Sequence, residues 1–250
     1  MRILFLHAHP DDAEILAGGT LALLAQKGHE VTIATMTAGD CGTAEYSAEE
    51  IARIRRGEAA RAAERIGARY DCLGFLDLGI FVEDSARRRV TAALRRHRPE
   101  IVITAAPADY HCDHEATSAL VRDACFACSA PNYDTSAYDA SPALERIPHL
   151  YFADPDEGTD RYGQPVDPEF IVDIEPVFQL KRDMLAEHAS QRAWLQRQHG
   201  MDDYLRTMEM WTRERGALAG IAYGEGFRQY KGHPYPRTPA LQELLSEHLA

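Results

Sequence analysis

The sequence predicts an α/β fold: a mostly parallel sheet with helices on both faces, and C-terminal strands and helices packed on that core. Three observations carry the expectation. Short aliphatic runs alternate with helical patterns from Met1 to about Ser129. Each run is too continuously apolar for a sheet with one wet face. The connections between runs are short, as strand–helix–strand units require.

Ile3–Leu6 is the first expected strand and 14–27 the first helix. Val31–Met36 follows, then a helix over 48–67, where Ile51, Ile54, Ala59, Ala62 and Ile66 keep one apolar stripe. Cys72–Leu76 and Ile101–Thr104 are the third and fourth strands, followed by helices over 85–97 and 114–128. In the first of these two helices Val90 and Leu94 point inward, which leaves Arg87, Arg88, Arg89, Arg95 and Arg96 as a solvated face. In the second, Cys125 and Cys128 lie in an apolar stripe and read as core rather than as a zinc knuckle or redox pair. Ala130–Pro148, rich in Pro, Asn, Asp, Ser and Tyr, reads as a long loop. Strands at His149–Ala153 and Phe170–Ile174 come next, then helices from Pro176 to about Gln198, from about Asp202 to Leu218, and over 239–248. No composition shift marks a linker. Residues 1–250 therefore read as one domain, with a core over 1–129 and a substrate-mouth loop and C-terminal extension over 130–250.

Composition narrows the function classes. The 27 Lys and Arg against 39 Asp and Glu give a net charge of −12, which repels phosphate backbones and anionic lipid surfaces. Nucleic acid is not an expected partner, and no apolar run approaches a membrane span. The run Ile3–Leu6 is too short for a signal-peptide core. Five cysteines, an odd number in a long chain, fit reduced thiols, so the cytoplasm is the expected compartment.

Two clusters carry the chemistry. His9-Pro10-Asp11-Asp12 directly follows the first strand, at a carboxyl end where open parallel sheets bind ligands. His9 and Asp12, three apart across a proline turn, can reach one metal ion; capping of a helix start is the plainer alternative. The Gly18-Gly19 pair comes too late after the strand for a dinucleotide turn and reads as a place where helices press together. Asp109-Tyr110-His111-Cys112-Asp113-His114 follows the fourth strand. If strands one and four are neighbours at the switch point, the clusters face each other across one crevice. His9, Asp12 and His114 then form a three-ligand site with a position open to water, the pattern of catalytic rather than structural zinc. Asp11 is left beside the ion, and His111 has Asp113 two residues on. A base and an acid beside such a site are the minimum equipment for amide hydrolysis.

These residues resemble the PIG-L/LmbE-like zinc N-deacetylases. The likeness rests on His9-Pro10-Asp11-Asp12 with Gly18-Gly19, and on Asp-Tyr-His-x-Asp-His-x-Ala-Thr over 109–117. It extends through Arg55-x-x-Glu58, His188-x-Ser190-Gln191 and Glu225-Gly226-Phe227, covering about residues 2–228. The resemblance implies a Rossmann-like fold and removal of acetyl from an N-acetylated amino sugar in a glycoconjugate. It makes His9, Asp12 and His114 ligands of Zn2+ or another divalent transition metal, and Asp11 the general base. His111 would polarise the carbonyl or protonate the leaving amine, Asp113 would tune His111, and Arg55 would hold the substrate. Two positions depart from the family pattern: Cys112 stands where proline is usual, and His7 where a small or apolar residue is common.

The expected protein is thus a metal-dependent hydrolase of a small-molecule glycoconjugate. Another small amide as substrate, or a non-catalytic carbohydrate-binding module on the same fold, are the alternatives. Homo-oligomerisation is left open by the sequence.

Overall fold

A computed structural model describes residues 1–199 and 204–250. Seven strands form one sheet: β1 (Arg2–His7), β2 (Glu30–Thr37), β3 (Arg69–Phe75), β4 (Ile101–Thr104), β5 (His149–Ala153), β6 (Phe170–Asp173) and β7 (Gly224–Gln229). Their order is β3-β2-β1-β4-β5-β7-β6. The first five run parallel, and β7 is antiparallel to both β5 and β6. The expected α/β class holds, and β1 and β4 are neighbours, so the chain reverses its winding direction between them. The six strand runs expected from sequence are all present. The seventh, β7, was not expected, because Gly224-Glu225-Gly226 carries little strand propensity.

Alternation along β1 explains the two-layer core. Ile3 and Phe5 pack on one face, Leu4 and Leu6 on the other, all essentially without solvent exposure. One face is covered by α1 (Asp12–Leu16), α2 (Gly18–Gln26), α3 (Ala48–Glu64) and the C-terminal α6 (Phe178–Ala186). The other is covered by α4 (Asp84–His97) and α5 (Cys112–Ala127), with Cys125 and Cys128 buried in the core as expected. The chain continues through α7 (Ala189–His199), α8 (Tyr204–Ala217) and α9 (Ala240–Leu244).

Two helices expected to be continuous are broken. The one over 14–27 divides at Ala17, and the one from Pro176 divides at Glu187 and His188. The expected start of the next helix at Asp202 lies outside the described residues. The first break lets α2 begin at Gly18, where the backbone amides of Gly19 and Thr20 donate to the Glu225 carboxylate at 2.9 and 2.7 Å. A buried carboxylate at a helix N-terminus answers unpaired amides and the helix dipole together. Lys181 completes the pair, its Nζ 2.6 Å from Glu225 and 2.8 Å from the Ile15 carbonyl.

Two expectations need correction. Residues 130–148 form a loop, but none of them lines the cavity described below. They are tied down instead by Arg95, which was expected on a solvated face and is 4% exposed. Its guanidinium donates to the carbonyls of Cys128 and Ala130 and to Thr135 Oγ1. A planar five-donor group satisfies several carbonyls of an irregular segment at once, which is why it is buried there. Among the described residues, no helix is long and apolar enough to cross a membrane.

Gly19 tests the helix packing directly. A Cβ at this position lies 2.6 Å from Ile174 Cβ. Gly19→Ala should therefore cost about 1–3 kcal/mol by overpacking, of which better helix propensity returns about 1 kcal/mol. A lower urea midpoint at unchanged m, relieved by adding Ile174→Ala, is the expected result.

Candidate metal centre and active site

The turn after β1 is built around a buried carboxylate. Asp12 accepts from the His9 amide at 2.7 Å and bonds His7 Nδ1 at 2.5 Å. His7 lies at the end of β1 and is fully buried. It is therefore a partner of Asp12 rather than a plain core histidine. Burial alone would raise the Asp12 pKa, but the charges of His7 and His114 hold it well below the usual carboxylate range.

His114 occupies the first turn of α5, directly after β4. Because β1 and β4 are adjacent, its ring reaches the first cluster. His9 Nδ1 lies 3.2 Å from His114 Nε2, and each of these nitrogens is 3.6 Å from an oxygen of Asp12. The outward nitrogens are committed elsewhere. His114 Nδ1 bonds Asp109 Oδ1 at 3.0 Å, while His9 Nε2 faces Asp113 Oδ2 at 3.2 Å and Asp77 Oδ1 at 3.1 Å. Carboxylates are acceptors, so each outward nitrogen carries the proton, and in the neutral ring each inward one presents a lone pair. Two lone pairs and a carboxylate facing one point call for a cation between them. The spacing fits: donors bonded tetrahedrally at about 2.1 Å stand roughly 3.4 Å apart. The electrostatics agree. Burial lowers a histidine pKa, yet Asp12 and the Asp109 bond push His114 up to about 9. Surrounding carboxylates favour positive charge at this point.

Asp11 is placed differently from Asp12. Its backbone sits at φ 100, a region L-residues avoid, and its side chain makes no capping bond to α1. The capping alternative therefore fails for Asp11. Its carboxylate instead accepts from the Tyr204 hydroxyl of α8. Burial and the charge of Asp12 push its pKa up to about 6, against opposing pulls from His188, the Tyr204 bond and Arg55.

His111 is the N-cap of α5, and its Nδ1 accepts from the Asp113 amide at 3.1 Å. The neutral ring then carries its proton on Nε2. Burial and the rings of His9 and His114 lower its pKa from the ordinary value, while Asp113 pulls weakly the other way. This corrects the expected pairing of Asp113 with His111. The Asp113 carboxylate is engaged by His9 Nε2 and by the Leu78 amide at 2.8 Å, so it orients a candidate ligand.

The clusters open into a cavity of about 620 Å³, which His9, Asp11, Asp12, His111, His114 and Arg55 help to line. Arg55, 5% exposed, projects from α3 and donates to the Gly42 carbonyl at 2.9 Å and to Gln191 Oε1. One turn on, Glu58 accepts from the Ser190 amide at 2.9 Å and from its hydroxyl at 2.6 Å. Arg55-x-x-Glu58 and Ser190-Gln191 are thus two halves of one clasp. Trp194 and Trp211 form cavity wall on α7 and α8.

Sequence reading assigned no role to Asp77, Asp109 or Tyr204. Asp77 lies just past the carboxyl end of β3, a position that points to a site residue. Asp109 stands in the second cluster, five residues before His114. Tyr204 gives no local signal, because only the packing of α8 on the core brings it to Asp11.

Residues 4–125 match the family described as PIG-L: GlcNAc-PI de-N-acetylase. The chain is 29% identical over 243 residues to the diacetylchitobiose deacetylase of Thermococcus kodakarensis, covering 92% of this chain and 84% of that protein. The solved N,N'-diacetylchitobiose deacetylase of Pyrococcus horikoshii superposes with a TM-score of 0.75 at 28% identity, covering 95% of this chain and 88% of that one. The 4-carboxy-2-hydroxymuconate hydratase of Pseudomonas putida KT2440 superposes with a TM-score of 0.76 at 22% identity, covering 95% and 98%; this likeness concerns the fold alone.

The donor arrangement predicts one tightly held divalent ion per chain by elemental analysis. Asp12→Ala and His114→Ala should each remove it. Asp109→Asn and Asp113→Asn should leave the ligands in place but weaken metal affinity by about 10–100-fold, since each keeps an amide oxygen but loses the negative charge that raises the basicity of a ligand ring.

Proposed function

Residues 4–125 of this chain are a PIG-L family domain, and from that premise we propose that the protein is a metal-dependent N-deacetylase of an N-acetylated amino sugar. The observation that carries the reading is the meeting of His9 Nδ1, His114 Nε2 and the Asp12 carboxylate beside an uncapped Asp11 in one cavity. A binding module has no use for a carboxylate held at a strained φ beside such a cluster. The relatives named above supply the substrate class, because a fold shared with a hydratase does not choose the reaction.

His9, Asp12 and His114 would hold the ion, with zinc suited to two imidazoles and a carboxylate. When bound, it supplies Lewis acidity to a carbonyl and lowers the pKa of water. Asp11 takes the proton from the water that attacks the acetyl carbon. The His111 Nε2–H donates to the carbonyl oxygen as negative charge develops there, which a neutral ring can do at pH 7. The C–N bond then breaks, the proton taken up by Asp11 passes to the departing nitrogen, and acetate and a free amine result. Arg55, fixed between Gly42 and Gln191, presents its guanidinium at the cavity wall to sugar oxygens.

The test is acetate release from N-acetylglucosamine and its glycosides by metal-loaded protein. Asp11→Asn keeps shape but cannot accept a proton, so kcat should fall by about 10²–10⁴ with metal retained. Activity of the native protein should fall as pH drops through the Asp11 pKa, because the base works deprotonated. That value is pushed up to about 6, and a bound cation draws it down, so the acid limb is expected at pH 6 or below. Full activity of Asp11→Asn, or no acetate from any N-acetylated sugar, would overturn the reading.

A further inference from the structure

The base that the proposed reaction uses is anchored from the far end of the chain. The His9-Pro10-Asp11-Asp12 turn fixes the Asp11 backbone at φ 100, but a carboxylate still rotates about its side-chain bonds. Within its own cluster Asp11 makes no capping bond that would stop this rotation. The contact that does so comes from Tyr204, 193 residues later, whose hydroxyl donates to Asp11 Oδ2. Occupying that oxygen leaves the other to accept a proton. Tyr204 begins α8, and Thr207, Met208 and Trp211 from the same helix also line the cavity. The helix therefore faces the site along its first two turns. Burial beside Asp11 and Glu14 holds the phenol pKa well above its ordinary value. The hydroxyl thus stays a donor throughout the working pH range and does not compete for the proton.

We propose that Tyr204 is a positioning residue for the reaction, its hydroxyl fixing the Asp11 carboxylate in the orientation that accepts a proton from water. The inference rests on the deacetylase reading above and adds a requirement: the core cluster becomes competent only when α8 is docked. Tyr204 does not touch the reacting atoms and acts through Asp11.

Tyr204→Phe deletes the hydroxyl and keeps the ring that packs there. With metal content matched to the native protein, kcat for acetate release should fall about 10–100-fold, as for loss of a hydrogen bond to a charged group, while KM moves less than about 2-fold. A double-mutant cycle separates positioning from general loosening. In an Asp11→Asn background, Tyr204→Phe should change the residual rate by less than about 2-fold, because nothing remains to position. Native kcat in Tyr204→Phe would overturn the inference while leaving the deacetylase reading standing. So would an equal further loss in the Asp11→Asn background, the mark of an independent structural role. If the native protein releases no acetate from any N-acetylated sugar, the reaction reading falls and this role falls with it.

Discussion

A carboxylate buried just past the carboxyl end of β1 is the constraint from which the site follows. Taking an ionised Asp12 out of water is costly unless it is paired and hydrogen-bonded. His7 and the His9 amide do both, and in doing so bend the chain into the turn that begins α1. The bend forces Asp11 to positive φ and aims the lone pair of His9 toward β4. Hence the candidate ligand, the candidate base and the first helix are one local solution to one desolvation problem. The parallel pairing of β1 with β4 then brings His114 to the same point, and Asp109 turns its ring the right way.

Around this centre lies a layer of buried polar contacts that tie distant segments together. Arg55 and Glu58 of α3 grip Gln191 and Ser190 at the start of α7. His188, 1% exposed, sits 3.4 Å from Glu14 of α1. Glu225 on β7 holds the start of α2 and the Lys181 ammonium. Breaking any of these leaves a buried group unpaired, which costs more than the bond itself contributes. Their shared effect is to lock the C-terminal segments onto the core at the edge of the cavity, where loose packing would blur the ligand geometry.

Much of this was legible in the sequence because it is local. Four apolar runs with helices between them gave the parallel core, and clusters at the ends of the first and fourth gave the crevice. The three ligand candidates do converge, since the switch-point argument needs only the strand order. What escaped depends on contacts between segments far apart in the chain. Asp113 was assigned to its sequence neighbour His111, but the first turn of α5 points its carboxylate at His9 and the Leu78 amide. Arg95 was assigned to solvent by its neighbours, but a loop some forty residues on needed its donors. β7 was hidden by its glycines; Gly226 lies so close to Asp154 that no side chain fits there.

The division of labour between the two halves of the chain bears on how such a protein changes over evolutionary time. His9, Asp11, Asp12 and His114 around the candidate metal point, and the ring that N-caps α5, all come from the first half, at two strand-to-helix junctions set by strand pairing. Much of the opposite wall comes from α7 and α8, whose surface-facing residues carry no such obligation. Drift in those helices can reshape the entrance while the cluster stays in place, provided the Tyr204 hydroxyl still reaches Asp11 and Ser190 and Gln191 still meet Glu58 and Arg55. Part of the cavity wall and the histidine–aspartate cluster are therefore carried on separate stretches of sequence. A core of this kind can be kept while the wall around its mouth is rebuilt.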